Sequence, residues 1–192
     1  MRSLYLNSNR IGDEGGVSIG SNTTWTNLEL LYLHRNEIGD SGAASIGANT
    51  AWYKLKELIL HLNRIGDEGA VSIGTNEAWK NLEMLHLFEN QIGSQGAVAI
   101  ANNITWHKLK NLSLHSNKIE DEGIMLLSKN TVWTELEELK IYNNPFKNVS
   151  SLHKAFSGET WKNLKTFLPS ISPALRDFLD SMKSQKSVTE VS

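Results

Sequence analysis

Cysteine is absent from this sequence of 192 residues. The chain therefore has no disulfide, no thiolate ligand for zinc and no thiol nucleophile. It also lacks an apolar run long enough to cross a bilayer, and its first residues lack the hydrophobic core of a signal peptide. The net charge is −2 without any basic run, so we expect no nucleic-acid partner and no membrane partner. These absences predict a soluble, cytoplasmic protein, and we expect it to carry no cofactor.

What the sequence does contain is one segment repeated along most of its length. NRIGDEGGVSIGSNTTW at 9–25 returns as NEIGDSGAASIGANTAW at 36–52 and NRIGDEGAVSIGTNEAW at 63–79, with weaker copies at 90–106 and 117–133. The copies lie 27 residues apart, and the tryptophan that ends each copy keeps this interval until Trp161, which follows after 28. A fixed period of this length is typical of solenoid proteins, in which each repeat forms one coil.

The leucine-rich part of each repeat predicts a short strand. Leu28, Leu31 and Leu33 precede Asn36, and this spacing recurs in the later copies. The alternation of Leu31 and Leu33 with other positions is typical of a strand that buries one face. Because a buried amide must find partners, we expect the repeated asparagine to bond the backbone where the strand turns away.

The glycine-rich part of each repeat predicts a helix on the opposite flank of the coil. The residues suited to its N-cap are Asp13, Asp40, Asp67, Ser94 and Asp121. Small residues near the helix start, such as Gly42 and Ala43, help neighbouring helices to approach. Helices pack about 8–10 Å apart and strands about 4.8 Å apart, so the stack must curve with its sheet inside. The tryptophans are expected to fill the turn under each helix, with a half-buried ring and a bonded N–H.

The pattern L-x-x-L-x-L-x-x-N-x-I followed by G-D-E-G-A resembles leucine-rich repeats of the ribonuclease-inhibitor-like class. That class is also found in the sensor regions of NOD-like receptors and in Ran GTPase-activating proteins. The resemblance covers about residues 1–168. It implies an α/β fold, a right-handed solenoid or horseshoe of about seven coils, with parallel strands on the concave face and helices on the convex face. The chain departs from the class in its slightly shorter repeat and in its tryptophan, where an aliphatic residue is usual.

These patterns predict a solenoid at 1–168, a C-terminal capping helix at 169–182 and a polar tail at 183–192. Ser172 and Pro173 suit the first positions of the capping helix. The chain starts inside a repeat without a cap, whereas solenoids normally protect their ends. We therefore expect either a piece of a longer solenoid or self-association through residues 1–20, whose strand edge and apolar coil face are otherwise open.

The outward face of the strands is where the repeat leaves side chains free for function. Three columns follow it: Tyr5, Tyr32, Ile59, His86, Ser113 and Lys140; then Asn7, His34, His61, Phe88, His115 and Tyr142; then Ser8, Arg35, Leu62, Glu89, Ser116 and Asn143. Exposed aromatic residues and arginine on a rigid sheet are residue types that anchor protein partners. We predict a non-catalytic protein-interaction module that binds its partner through Tyr32, His34, Arg35, His61, His86, Phe88 and Tyr142. The alternative is that these side chains stack on one another and only cover the sheet.

The histidines raise the possibility of a zinc site on this face. His34 and His61 are neighbours about 4.8 Å apart across the strands, with His86 diagonal to them. Three imidazoles could hold zinc, but no carboxylate or thiolate completes the set in register. We therefore expect ordinary surface histidines and no metal.

Catalytic motifs are also missing from the sequence. GDEG recurs as a helix start and lacks the lysine of a nucleotide site, and no nucleophile can be paired with a base. We predict that the protein is not an enzyme. The family resemblance leaves one alternative function, activation of a GTPase or regulation of another enzyme, with Arg10, Arg35 and Arg64 as its candidate residues.

Overall fold

A computed structural model describes residues 1–145, 147, 163–164 and 166–168. In this part of the chain seven strands alternate with five helices until the last two strands. The strands are β1 (Ser3–Tyr5), β2 (Leu30–Tyr32), β3 (Glu57–Ile59), β4 (Met84–His86), β5 (Asn111–Ser113), β6 (Glu138–Lys140) and β7 (Thr166–Leu168). The helices are α1 (Gly12–Gly20), α2 (Asp40–Gly47), α3 (Asp67–Gly74), α4 (Ser94–Ala101) and α5 (Asp121–Leu127). The predicted capping helix and tail, and also Trp161, lie outside the described residues.

The strands form one parallel sheet in chain order, from β1 to β7. The register follows the sequence period, since Leu4 pairs with Leu31 and Leu31 pairs with Leu58. Consecutive helices pack against one another along the other flank. The fold is therefore an open, right-handed α/β solenoid with strands on the concave side and helices on the convex side, as the repeat predicts.

The core fills the space between the sheet and the helices. The alternating leucines Leu31 and Leu33 and the helical Ile46 have no exposed surface, as predicted for the inward face. Each coil adds an equivalent set, so the leucines and isoleucines of neighbouring coils join in one continuous cluster. Burial of these side chains is the main stabilising contribution to each coil.

Four tryptophans, Trp52, Trp79, Trp106 and Trp133, are more deeply buried than the prediction of half-buried rings, which holds for Trp25. Trp52, Trp79 and Trp106 have no exposed surface. The indole N–H of Trp52 and that of Trp79 each donate to a backbone carbonyl of the preceding coil at 3.1 Å. In Trp106 and Trp133 the same nitrogen is buried without a partner among the described residues. The predicted hydrogen bond therefore forms in some coils and not in others.

The helix starts differ from the predicted N-caps. Asp40 and Asp67 are the first helical residues, and the N-cap positions before them are held by Gly39 and Gly66. The aspartate side chain caps the helix of the next coil, because Asp40 Oδ1 accepts from the backbone N–H groups of Gly66 and Gly69 at 2.8 and 2.9 Å. The prediction of an N-cap within the same helix is therefore wrong.

Candidate partner-binding surface

Two outward side-chain positions lie within each of the strands β1 to β6, one on either side of the central leucine. The second position carries the predicted column that contains Tyr32 and His86. The first position carries a column that the sequence analysis missed: Ser3, Leu30, Glu57, Met84, Asn111 and Glu138, all of them half-buried. The same alternation that marks the inward leucines also marks this column, so the signal was available on the amino-terminal side of each leucine.

The clearest feature of the concave face is a ring column, made of His34, His61, Phe88, His115 and Tyr142. Consecutive rings are nearly parallel, and their centroids lie 4.4, 4.1, 4.2 and 4.2 Å apart. In-register parallel strands repeat about every 4.8 Å, a spacing that brings rings on neighbouring strands into stacking contact. The stacking given above as the alternative is therefore observed, and binding of a partner to the exposed ring edges stays a prediction.

The imidazoles of the ring column are held in one orientation. Nδ1 of His34, His61 and His115 is buried and has no hydrogen-bond partner among the described residues. A buried, unbonded acceptor is less costly than a buried, unbonded N–H, which favours the proton on Nε2. Burial lowers the pKa of His61 and that of His115 to about 4, so both rings are neutral near pH 7. The column therefore presents Nε2–H donors on the concave face.

A hydrogen-bonded network lies beside the ring column on the strands β4, β5 and β6. His86 Nε2 lies 3.0 Å from Asn111 Oδ1, and Asn111 Nδ2 donates to Glu138. Lys140 Nζ pairs with Glu138 at 2.8 Å. Burial alone raises the pKa of Glu138, but the bonds from Lys140 and Asn111 outweigh it, and the net pKa is lowered.

On the earlier strands β2 and β3, the hydroxyl of Tyr32 donates a hydrogen bond to the carboxylate of Glu57. Burial, together with this bond, raises the pKa of Tyr32 to about 12. The ring of Tyr5 contacts Tyr32 edge-on at 4.8 Å. Ile59 and Ser113 belong to the column of Tyr32 and are expected from the sequence to be free on the outward face. They are only 4% and 1% exposed, so neither is available to a partner.

A cleft of about 560 Å³ opens beside the ring column, where the first four strands end. We call it the arginine cleft, and its main lining residues are Arg10, Arg35, Arg64, Glu37, Leu62 and Glu89. All but Arg64 have φ between 51° and 61°, in the left-handed region that non-glycine residues rarely adopt. The structure therefore places in one cleft the three arginines that are the candidate residues for GTPase activation.

A family model with the description Leucine Rich repeat matches residues 1–20, 26–47, 54–74, 80–101 and 107–128, which is more than half of the chain. The chain belongs to the leucine-rich repeat family. No curated protein sequence matches it. Among solved structures, the leucine-rich repeat chain is similar to "Leiomodin-1 Actin-Binding Site 2 (ABS2)", with a TM-score of 0.52 and 19% identity over 90% of this chain and 95% of that chain. At this identity the likeness shows the fold alone.

The described part of the leucine-rich repeat chain offers no cluster of metal ligands and no membrane-spanning helix. Across the described ranges no group of three or more His, Asp or Glu side chains is placed to hold a metal ion. His34, His61 and His86 come together as the sequence predicts, but as stacked and tilted rings. In the same part of the chain, no helix combines the length and the apolar character needed to cross a bilayer.

Proposed function

We propose that this leucine-rich repeat chain is a non-catalytic protein-interaction module that binds its partner on the concave face. The observation that carries the proposal is the ring column, in which five aromatic and imidazole rings stack across five neighbouring coils. The contact residues are Tyr32, His34, Arg35, His61, His86, Phe88 and Tyr142.

The rigidity of the ring column supports this proposal. Binding normally costs about 0.5–1.5 kcal/mol for each flexible side chain that becomes ordered. His61 and Phe88 are already fixed between neighbours at 4.4, 4.1 and 4.2 Å, so little further ordering is needed. Rigid aromatic groups with one polar edge are also the side chains that dominate protein interfaces.

Within this proposal, the ribonuclease-inhibitor-like resemblance favours the recognition region of a NOD-like receptor or a similar scaffold. The rival proposal is activation of a GTPase, which would require an exposed arginine or asparagine at a repeat edge. The grouping of Arg10, Arg35 and Arg64 in one cleft is the observation that keeps this rival open.

The decisive experiment compares two triple-alanine variants as affinity baits. The concave variant is Tyr32→Ala/Phe88→Ala/Tyr142→Ala, and the matched convex variant is Val17→Ala/Val71→Ala/Met125→Ala, which removes three apolar side chains that are 38–40% exposed on the helices. Circular dichroism melting first establishes that both variants are folded at the assay temperature. We expect the concave variant alone to lose specific partners. Identical partner lists for the wild type, the concave variant and the convex variant would refute the proposal.

Purified candidate partner proteins are then tested for direct binding to the wild type and to both triple variants. Acceleration of GTP hydrolysis by small GTPases would support the enzyme-regulator proposal over the simple binding module. Filamentous actin is included because the similar solved structure is an actin-binding site. Binding that is weakened about tenfold or more by the concave variant, with a smaller effect of the convex variant, is the expected result for a true partner.

A further inference from the structure

The arginine cleft contains positive charge that the protein itself does not neutralise. Arg64 is engaged, because its Nη2 lies 2.8 Å from Glu37 Oε2. Arg10 and Arg35 are exposed, and neither has a salt bridge or a side-chain hydrogen bond within the described part of the chain. Two guanidinium groups are therefore free at the edge of the surface proposed to bind a partner.

We propose that the arginine cleft receives an acidic peptide segment of the protein partner, whose carboxylates bind Arg10 and Arg35. This inference rests on the proposed function, since it places the same partner on the concave face. A guanidinium matches a carboxylate with two parallel N–H donors, which makes arginine suited to this anion. The cleft volume of about 560 Å³ lies in the range of ordinary binding pockets and accommodates a few side chains.

The surroundings of the cleft favour an acceptor-rich peptide. Arg35 directly follows His34, and the lining residue Leu62 directly follows His61. The adjoining imidazoles present Nε2–H donors, which suit carboxylate or carbonyl oxygens. Leu62 is half-buried and gives the cleft one apolar contact for a non-polar side chain of the same segment.

The same surroundings disfavour a phosphate polyanion such as nucleic acid. Glu89 also lines the cleft, has no salt bridge among the described residues, and would repel a continuous row of phosphates. The whole chain carries a net charge of −2, so it provides no long-range attraction for such a ligand. A peptide with separate carboxylates needs only two positive partners, which Arg10 and Arg35 supply.

The test uses fluorescence anisotropy with a labelled hexapeptide of alternating glutamate and leucine, and the same peptide with glutamine in place of glutamate. The cleft variant is Arg10→Gln/Arg35→Gln. Its charge-matched control is Lys54→Gln/Lys108→Gln, because these lysines are exposed and precede the strands, at the opposite edge of the sheet. We expect the glutamate peptide to bind at least about tenfold more weakly to the cleft variant, and within about twofold of wild type to the control.

A measurement on the wild-type protein keeps the test independent of the variants. Histidine NMR titrations should show the His34 pKa raised by the bound glutamate peptide, because the charge of Arg35, which now helps burial to lower that pKa, is neutralised. Equal binding of the glutamine peptide, equal weakening in both double variants, or tripolyphosphate binding without peptide binding would each overturn the inference. Loss of partners by the concave triple variant with retained peptide binding by the cleft variant would refute the cleft and leave the proposed function standing.

Discussion

At the scale of single residues, amide side chains join each coil to its neighbours. Asn63 Nδ2 donates to the carbonyls of Leu33 and Leu60, at 3.0 and 2.9 Å. Its Oδ1 accepts from the backbone N–H groups of Asn36 and Ile38, both at 3.0 Å. Only an amide side chain of this length supplies donors and an acceptor together, which explains why asparagine repeats at this position.

A second asparagine ladder follows the helices, and the sequence analysis did not assign it. Asn76 Nδ2 donates to the carbonyls of Gly47 and Asn49 at 2.7 and 3.0 Å, and Asn49 and Asn103 make equivalent bonds. These asparagines recur at the same interval of 27 residues, three positions before each tryptophan. The sequence therefore contained the signal, but in a glycine-rich segment asparagine is as typical of a turn as of a buried ladder.

Substitution of Asn63 by alanine should destabilise the protein strongly. The change removes four hydrogen bonds of 2.9–3.0 Å and a longer one to the His61 carbonyl at 3.5 Å, and it leaves partly buried backbone groups without partners. We expect the free energy of unfolding to fall by roughly 3–5 kcal/mol, measured by urea denaturation. Asn102→Ala is the matched control, because Asn102 is exposed at a helix end, and its effect should stay within about 0.5 kcal/mol. Equal effects of the two substitutions would contradict the ladder's role.

At the scale of elements, the strands were easier to predict than the helix starts. The spacing of Leu31 and Leu33 identifies both the strand and its buried face, since alternation needs only local sequence. An aspartate at a helix start normally caps its own helix, and local sequence predicts this role for Asp13 and Asp40. In the stacked coils Asp13 Oδ1 accepts from Gly39 and Gly42 of the next helix at 2.9 and 2.8 Å. Local sequence carries no information about such a neighbour.

Helix spacing depends on glycine at the last position of the first three helices. A Cβ atom on Gly47 would lie 2.5 Å from the backbone N of Ile73 and 2.5 Å from the backbone carbon of Ser72. Gly20 and Gly74 make similarly close approaches to the next helix. The sequence predicted close approach at Gly42, which is also tight, but the closest contacts with backbone lie at the helix ends.

Gly47→Ala should therefore destabilise the protein although alanine is the better helix former. Intrinsic propensity favours alanine by about 1 kcal/mol. Forcing a methyl group against the fixed backbone of α3 should outweigh this gain and lower the free energy of unfolding by about 1–3 kcal/mol. Thermal and urea denaturation measure the effect, with Ser41→Ala as the control, because Ser41 is exposed in the same helix. A stabilised Gly47→Ala variant would show that the helices can separate freely.

At the scale of the whole molecule, the period predicts the curvature and the outward columns, but only part of the surface chemistry. The stacking of His61 on Phe88 follows from register alone. The links from Asn111 to His86 and Glu138 depend on side-chain conformation between columns, which a periodic pattern does not specify. Similarly, the period places Arg35 in register with Ser8 and not with Arg10, so it does not show that the two arginines line one cleft.

The ring column also links the pH to the stability of the whole solenoid. Burial, followed by the charges of His34, His86, Arg35 and His115, lowers the pKa of His61 to about 4. Burial, followed by the charges of Lys140 and His86, does the same for His115. In the unfolded chain a histidine pKa is about 6.5. Between pH 4 and pH 6.5 the unfolded state therefore binds more protons than the folded state. The free energy of unfolding must then fall as the pH is lowered from about 6.5 to about 4.

Replacing both histidines by phenylalanine should remove most of this pH dependence. Phenylalanine keeps the stacking surface, as Phe88 does naturally, but cannot take up a proton. We expect the midpoint of urea unfolding to decrease from pH 6.5 to 4.5 in the wild type and to change much less in His61→Phe/His115→Phe. The carboxylate of Glu29 has a pKa lowered by its bond with Lys56, so its protonation adds to the acid loss of stability in the wild type and in the double variant alike.

His107→Gln serves as the control, because His107 is exposed and lies outside the ring column. This variant should keep the full wild-type decrease in stability below pH 6.5. If His61→Phe/His115→Phe also kept it, the acid sensitivity would arise from groups other than the stacked imidazoles. A shallow decrease remaining in the double variant is expected, because burial also lowers the pKa of His34 and of His86. Acid should therefore loosen the same stacked surface that is proposed to bind the partner, since protonated imidazoles repel one another within it.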